Sequence, residues 1–191
     1  MHTVEAILAA ADVLGDEALL ERATGVLRFV CDQARGRGWR IAEHYDAHWQ
    51  VMAHYNLDQP THPFRPYGAT PGFVYTTDFD GVPVVRERMH WVLAEAVGAG
   101  SVLARALEEA GDIEAARIWR SRVQEWWGYA QEHLVEAPGR WIHELDRENV
   151  RSTRTWTGKP DVYHATQMAL LPRLPIAPTF AAALREGLLD S

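Results

Sequence analysis

Apolar residues recur at intervals of three and four through most of this chain, and the pattern breaks repeatedly at a glycine followed by an aspartate. Val4, Ile7, Leu8, Ala11 and Leu14 share one face of a helix predicted over 1–14. Gly15-Asp16 stops that helix, and Asp16 caps a second over about 17–35, with Leu19, Leu20, Ala23, Leu27, Val30 and Cys31 on its inner side. The same spacing predicts a helix over about 88–109, ending near Gly111-Asp112, and another over about 113–136 carrying Ile118, Trp119, Val123, Trp126, Trp127 and Leu134. Two final helices are expected over about 161–172 and 178–189. Elsewhere the period changes. Phe73 to Thr77 and Val82 to Val85 flank Asp80-Gly81 as a hairpin, Trp141 to Leu145 is short and extended, and 150–158 is a polar loop. Residues 36–46 form a turn and a short extended piece. The stretch 47–72 is long and irregular, with Pro60, Pro63, Pro66, Pro71, Gly68 and Gly72, and loops of that length are usually functional or abnormal.

These elements repeat. Glu5-Ala6, Gly15-Asp16, a second helix, Trp39 and Glu43-His44-Tyr45-Asp46 return as Glu95-Ala96, Gly111-Asp112, a second helix, Trp141 and His143-Glu144-Leu145-Asp146. Each unit is an αα-hairpin with a short strand-like return. Hairpins of this kind stack into solenoids or closed α/α toroids, so the fold class is all-α. The small residues after Glu5 and Glu95 suit inner helices that approach closely, and a charge there points into a central cleft or bears a burial penalty.

A chain of 191 residues is long enough for one domain with its own core. A net charge of −7 argues against a nucleic-acid partner, which would need clustered Lys and Arg. No apolar run is long enough to span a membrane, and no secretory leader is visible at the N-terminus. Cys31 stands alone, which excludes an internal disulfide, fits a reducing cytoplasm and reads as inert core. The eight tryptophans divide between core and sugar-stacking surfaces, with core the commoner role.

Two histidines invite chemistry. His164 sits among Tyr163, Ala165, Met168, Ala169 and Leu171, surroundings that keep an imidazole neutral and competent as a general base. Gln167, on the same face, can bond a sugar hydroxyl; the alternative is a histidine satisfied inside the core. His2 and Glu5 share a helix face, as an ordinary surface pair also would. His90 can face a cleft. His44, His48, His54 and His62 fall in or beside the long loop, and His133 and His143 carry no chemical context. No histidine spacing suggests a metal site.

Met1-His2-Thr3-Val4-Glu5-Ala6, the run Pro63 to Gly72, Trp91 with Ala94-Glu95-Ala96, and Gly158 to Ala165 together resemble the N-acylglucosamine 2-epimerase family, which includes mannose isomerases. The resemblance implies an (α/α)6 toroid, here a partial one, with its site at one mouth. It also implies a cofactor-free aldose–ketose isomerisation or 2-epimerisation of a mono- or disaccharide through a cis-enediol. By resemblance His164 and His2 are the catalytic histidines, and Glu5, Trp91, Glu95 and Gln167 line the sugar cleft. Two departures follow. The chain matches the C-terminal part of the family fold. After Pro71-Gly72 it also runs straight to Phe73-Val74-Tyr75, where the family has a Pro-Gly-His-x-x-Glu-Trp helix pair with a further histidine. A helix pair missing near 72–73 leaves helix flanks open to self-association. It also keeps a second reading in play: an inactive helical-repeat module that binds a sugar or a partner chain. Glycoside hydrolysis would require Glu5 and Glu95 to face one another.

Overall fold

The computed structural model describes residues 2–39, 41–42, 44–53, 71–78 and 80–190. The first helical hairpin is α1 (His2–Leu14) and α2 (Glu17–Arg35), and Asp16 accepts from the Ala18 amide at 2.9 Å. A two-residue strand, β1 (Arg88–Met89), leads into α3 (His90–Glu109), which pairs with α4 (Ile113–Tyr129) as the second hairpin. Asp112 caps α4 through the Ala115 amide at 3.1 Å, as Asp16 caps α2. A π-helical turn (Ala130–Leu134) then delivers β2 (Val135–Ala137), β3 (Arg140–Trp141) and β4 (Glu144–Leu145). The chain ends with α5 (Val162–Leu170), a 3-10 turn (Leu171–Arg173) and α6 (Phe180–Arg185). The described residues are thus mostly helical, with short antiparallel pairs β1–β4 and β2–β3.

Three sequence expectations need correction. The helix expected over 113–136 is α-helical only to Tyr129, continues as a π-helix to Leu134, and ends there because Val135–Ala137 pairs with Arg140 and Trp141. The last helix covers Phe180–Arg185 rather than 178–189, bounded by Pro178 and by Gly187 at φ 73°. Cys31 is exposed, not core. Only Ala23 and Ala34 of α2 are buried, and the face bearing Leu20, Leu27 and Val30 is open to solvent among the described residues. The motif run 63–70, together with His54, His62, Pro60 and Glu43, lies outside the described residues.

The core is centred on α3. Met89, Val92, Leu93 and Val97 pack with Phe73, Trp126, Tyr129, Leu134, Leu145 and Met168. Its small residues allow the close approach expected of them: a Cβ at Gly100 would stand 2.8 Å from Val123 of α4, and one at Gly98 would stand 2.9 Å from Leu171. Arg105 of α3 donates to the Leu174 and Pro172 carbonyls, the latter at 2.7 Å, and so ties the 3-10 turn to the hairpin.

The internal repeat is also visible in the backbone, in one copy more than the sequence suggested. Asp46, Asp78 and Asp146 each build the same five-residue corner. The Asp78 carboxylate accepts from the Asp80 and Val82 amides at 2.9 and 2.8 Å, and the Asp146 carboxylate accepts from Glu148 and Val150 at 2.9 Å each. Asp46 accepts from His48 and Gln50 at 2.8 and 2.9 Å. Each corner is closed by an isolated bridge, Tyr45 to Val51, Thr77 to Pro83 and Leu145 to Arg151. The third residue after each aspartate has positive φ: Trp49 at 60°, Gly81 at 82° and Asn149 at 65°. The side chain of the last, Asn149, then receives bonds from Tyr129, at 2.7 Å, and Arg88.

Candidate functional site

The β1–β4 pair places Met89 opposite Glu144 and lets the His90 amide bond the His143 carbonyl at 3.1 Å. Two consequences reach the site. His90 and His143 become neighbours, their rings 5.1 Å apart. Glu144 is buried with its carboxylate turned onto the loop that follows β4. It accepts from Ser152 Oγ at 2.6 Å and from the amides of Arg154 at 2.9 Å, Thr155 at 3.1 Å and Trp156 at 2.9 Å. Burial alone would raise the Glu144 pKa, but those hydrogen bonds outweigh it and hold the carboxyl below the ordinary glutamate range. The anchored loop runs on through Lys159-Pro160 to Asp161.

Asp161 does two jobs at the start of α5. Its Oδ1 accepts from the His164 amide at 3.0 Å as the helix N-cap, and the same carboxylate meets His164 Nδ1 at 2.8 and 3.0 Å. A carboxylate accepts only, so Nδ1 carries a proton and Nε2 is the nitrogen left to face the site. That Nε2 faces Glu95 of α3, 3.6 Å away, and the ring leaves 16 % of its side chain exposed. Burial, first, raises the Glu95 pKa; His164 and His2 oppose the rise, while Glu5 and Asp161 add to it. Trp91 and Tyr163 flank His164, with ring centroids at 5.9 and 4.8 Å.

The structure therefore gathers most of the residues singled out in the sequence. His164, Glu95 and Trp91 form one group. Glu5 lies close enough to Tyr163 and Glu95 to raise the pKa of both, though burial is the larger cause in each case. His2 bonds Glu5 at 2.8 Å and is the outermost member, 78 % exposed.

Sequence reasoning missed Asp161 as the partner of His164 and left His143 without a role. The Asp-x-x-His spacing at a helix start was a signal for the first. No local signal existed for the second, because strand pairing brings it in. His90 is more deeply placed than expected. It is fully buried, its Nδ1 donates to the His143 carbonyl at 3.3 Å, and its Nε2 has no hydrogen-bond partner although Asp161 Oδ2 lies 3.4 Å away. Burial is the main cause that lowers its pKa to about 4, so the ring is neutral. A cleft of about 370 Å³ lined by Trp141, His143, Lys159 and Pro160 opens beside the entry to α5. A larger cavity of about 660 Å³, between Arg86, Glu87, Arg147 and Arg154, contains none of these groups.

The arrangement is an imidazole oriented by a carboxylate, beside a half-buried carboxyl and an indole face. Such a group can accept or return a proton, and the indole offers a face for stacking.

Residues 1–74 and 72–168 match the model of the N-acylglucosamine 2-epimerase (GlcNAc 2-epimerase) family. A D-mannose isomerase of Thermobifida fusca is 40 % identical over 233 residues, covering 96 % of this chain and 56 % of that protein. One from Pseudomonas cannabina pv. alisalensis is 32 % identical over 236 residues, covering 96 % and 55 %. A crystal structure of D-mannose isomerase superposes with a TM-score of 0.69 at 20 % identity, over 88 % of this chain and 53 % of the other. The chain spans about half the length of the curated relatives it matches. With the family model covering most of its residues, this chain belongs to the N-acylglucosamine 2-epimerase family.

Proposed function

We propose that this chain carries an aldose–ketose isomerase or 2-epimerase site for a mannose-like sugar, with His164 as the proton-transfer group. The observation that carries the reading is the Asp161–His164 pair, which fixes the tautomer and turns Nε2 toward Glu95 and the Trp91 face. In the proposed step Nε2 removes the proton from the carbon next to the open-chain carbonyl, giving an enediolate and an imidazolium stabilised by Asp161. Return of the proton to the former carbonyl carbon yields the ketose. Return to the original carbon from the opposite face yields the epimer and needs a second group, for which His2 with Glu5 is the available pair. Glu95, its pKa raised chiefly by burial, stands where it can share a proton with the sugar oxygens. Trp91 offers a stacking face, and Gln167 a hydroxyl contact. The toroid of the family is then represented by two of its hairpins and the closing helices.

A second reading, a sugar-binding module without turnover, is favoured by two findings. The alignment with the Thermobifida protein runs over 233 residues, more than the 191 of this chain, and the two stretches matched by the family model meet at residues 72–74. Both support an internal shortening at the place where the family's further histidine belongs.

Incubation with mannose or fructose in D2O, followed by NMR, separates the two. The isomerase reading expects deuterium at C2 of mannose, with His164→Ala slower by about two to four orders of magnitude. Absence of exchange in the wild type would refute it and leave binding alone.

A further inference from the structure

The cavity of about 660 Å³ beside the Asp146 corner is lined by four arginines, Arg86, Arg147, Arg151 and Arg154, in a chain whose net charge is −7. They come from two segments far apart in sequence, which the β1–β4 pair brings side by side. Guanidinium groups crowded around one space repel one another unless anions compensate them. The carboxylates nearby do so incompletely. Asp146 spends its Oδ1 on the amides of Glu148 and Val150. Glu87 is buried and faces Arg154 at 3.4 Å. Glu136, outside the cavity, divides itself between Arg151 and Arg140 at 2.7 Å each. Glu148 meets Arg147 at 2.5 Å, but both side chains are more than half exposed, so the pair is weakly held. Among the described residues the Arg86 guanidinium has no partner, and neither has the Thr153 hydroxyl on the same wall.

We propose that this cavity binds a phosphate dianion, either free phosphate or the phosphoryl group of a sugar phosphate. The chemistry of the wall fits. Arginine presents a planar fork of N–H donors that matches phosphate oxygens, and a hydroxyl such as that of Thr153 adds a further donor. The charge fits as well. Release of the exposed Glu148 to solvent leaves four guanidiniums facing two carboxylates, a balance that one dianion closes. The size lies within the range of about 300–1,000 Å³ usual for small-molecule sites, whereas the lining is not the usual apolar one, with Val84 its one hydrocarbon side chain among the described residues. The wall is also held in place before any ligand arrives. Arg151 is bridged to Leu145, the Ser152 amide bonds the Glu144 carbonyl at 2.9 Å, and the Arg154 amide bonds the Glu144 carboxylate at 2.9 Å. A preformed wall lowers the ordering cost of binding. The site includes neither His164 nor Glu95 and does not depend on the proton-transfer reading.

The test titrates the full chain, in slightly alkaline chloride buffer, with inorganic phosphate and separately with mannose 6-phosphate, read by calorimetry. The expected result is saturable one-to-one binding that weakens by about tenfold or more in Arg86→Gln. Arg117→Gln, which removes an exposed arginine paired with Glu114 on α4, should bind as the wild type does. Circular dichroism checks that the variants fold; should Arg86→Gln fail to, Arg147→Gln, altered at an exposed side chain, takes its place. Tighter binding of mannose 6-phosphate assigns the site to sugar phosphates, and equal affinity assigns it to free phosphate; either outcome sustains it. Absence of saturable binding of both ligands at about 10 mM, wild-type affinity in the folded Arg86→Gln or Arg147→Gln variant, or an equal loss in Arg117→Gln would each overturn it.

Discussion

Replacing Glu144 by glutamine tests how the site is held in place. The carboxylate is buried, and its two oxygens share donors from Ser152, Arg154, Thr155 and Trp156. Glutamine keeps the shape but exchanges one oxygen for an NH2. Turned one way, that NH2 meets the Trp156 and Thr155 amides; turned the other way, it meets the Arg154 amide. Only the Ser152 hydroxyl can rotate to accept, so at least one buried amide is left facing another donor. An unsatisfied buried donor costs about 1–3 kcal/mol, and the remaining bonds lose their charge assistance, so the expected loss is about 2–4 kcal/mol at pH 7. The pH dependence has a definite sign. Because the folded pKa lies below the ordinary glutamate value, the carboxylate's contribution is complete above that value, around pH 4.5, and is lost as pH falls through the folded pKa. Urea unfolding of wild type and Glu144→Gln at pH 7, 5.5 and 4 should therefore give a large, constant gap at the two higher values and a smaller one at pH 4. A gap below about 0.5 kcal/mol at pH 7, within the range of ordinary surface substitutions, would refute the argument, as would a gap that does not change with pH.

Three further outcomes follow from the same geometry. Asp161→Asn retains a capping side chain but removes the charge that fixes the His164 tautomer, so C2 proton exchange should fall by about 10²-fold or more while stability changes little; an unchanged exchange rate would separate Asp161 from the chemistry. Gly72→Ala should destabilise by about 2 kcal/mol or more, because φ is 145° and the new Cβ would stand 2.6 Å from Arg88 Nε and 2.9 Å from the Tyr129 hydroxyl. Thermal melts monitored by circular dichroism read that loss, and a melting temperature equal to wild type would contradict it. Arg105→Met should lower stability by about 2–3 kcal/mol, since the Leu174 and Pro172 carbonyls lose a charged donor; the same melts check it.

Much of the helical framework was legible because its signals are local. The apolar period and the capping aspartates Asp16 and Asp112 mark the two hairpins with little need of tertiary context. His164 could be singled out from its apolar neighbours, and Glu95 from its place among small residues. The partners of His164 and His90 were harder. Asp161 is legible as the first residue of a predicted helix, and only the folded geometry shows that its carboxylate holds the His164 ring. The His90–His143 contact depends on a strand pair only two residues long, whose register no residue pattern announces. Cys31 shows the opposite failure. Periodicity reports which residues share a face and does not report whether anything covers it.

The aspartate corners have a consequence for how such a chain tolerates changes in its own length. Each corner satisfies its backbone within a few residues, through its own carboxylate and one bridge, so its geometry does not depend on what lies between it and the next. They therefore serve as mileposts. From Asp46 to Asp78 the chain has less than half as many residues as from Asp78 to Asp146, where a whole helical hairpin is accommodated. The internal shortening proposed above falls in the shorter interval and leaves the corners at both ends intact. Excision between mileposts is a change this architecture absorbs without local damage, and its effect is confined to whatever the removed hairpin contributed to the cleft.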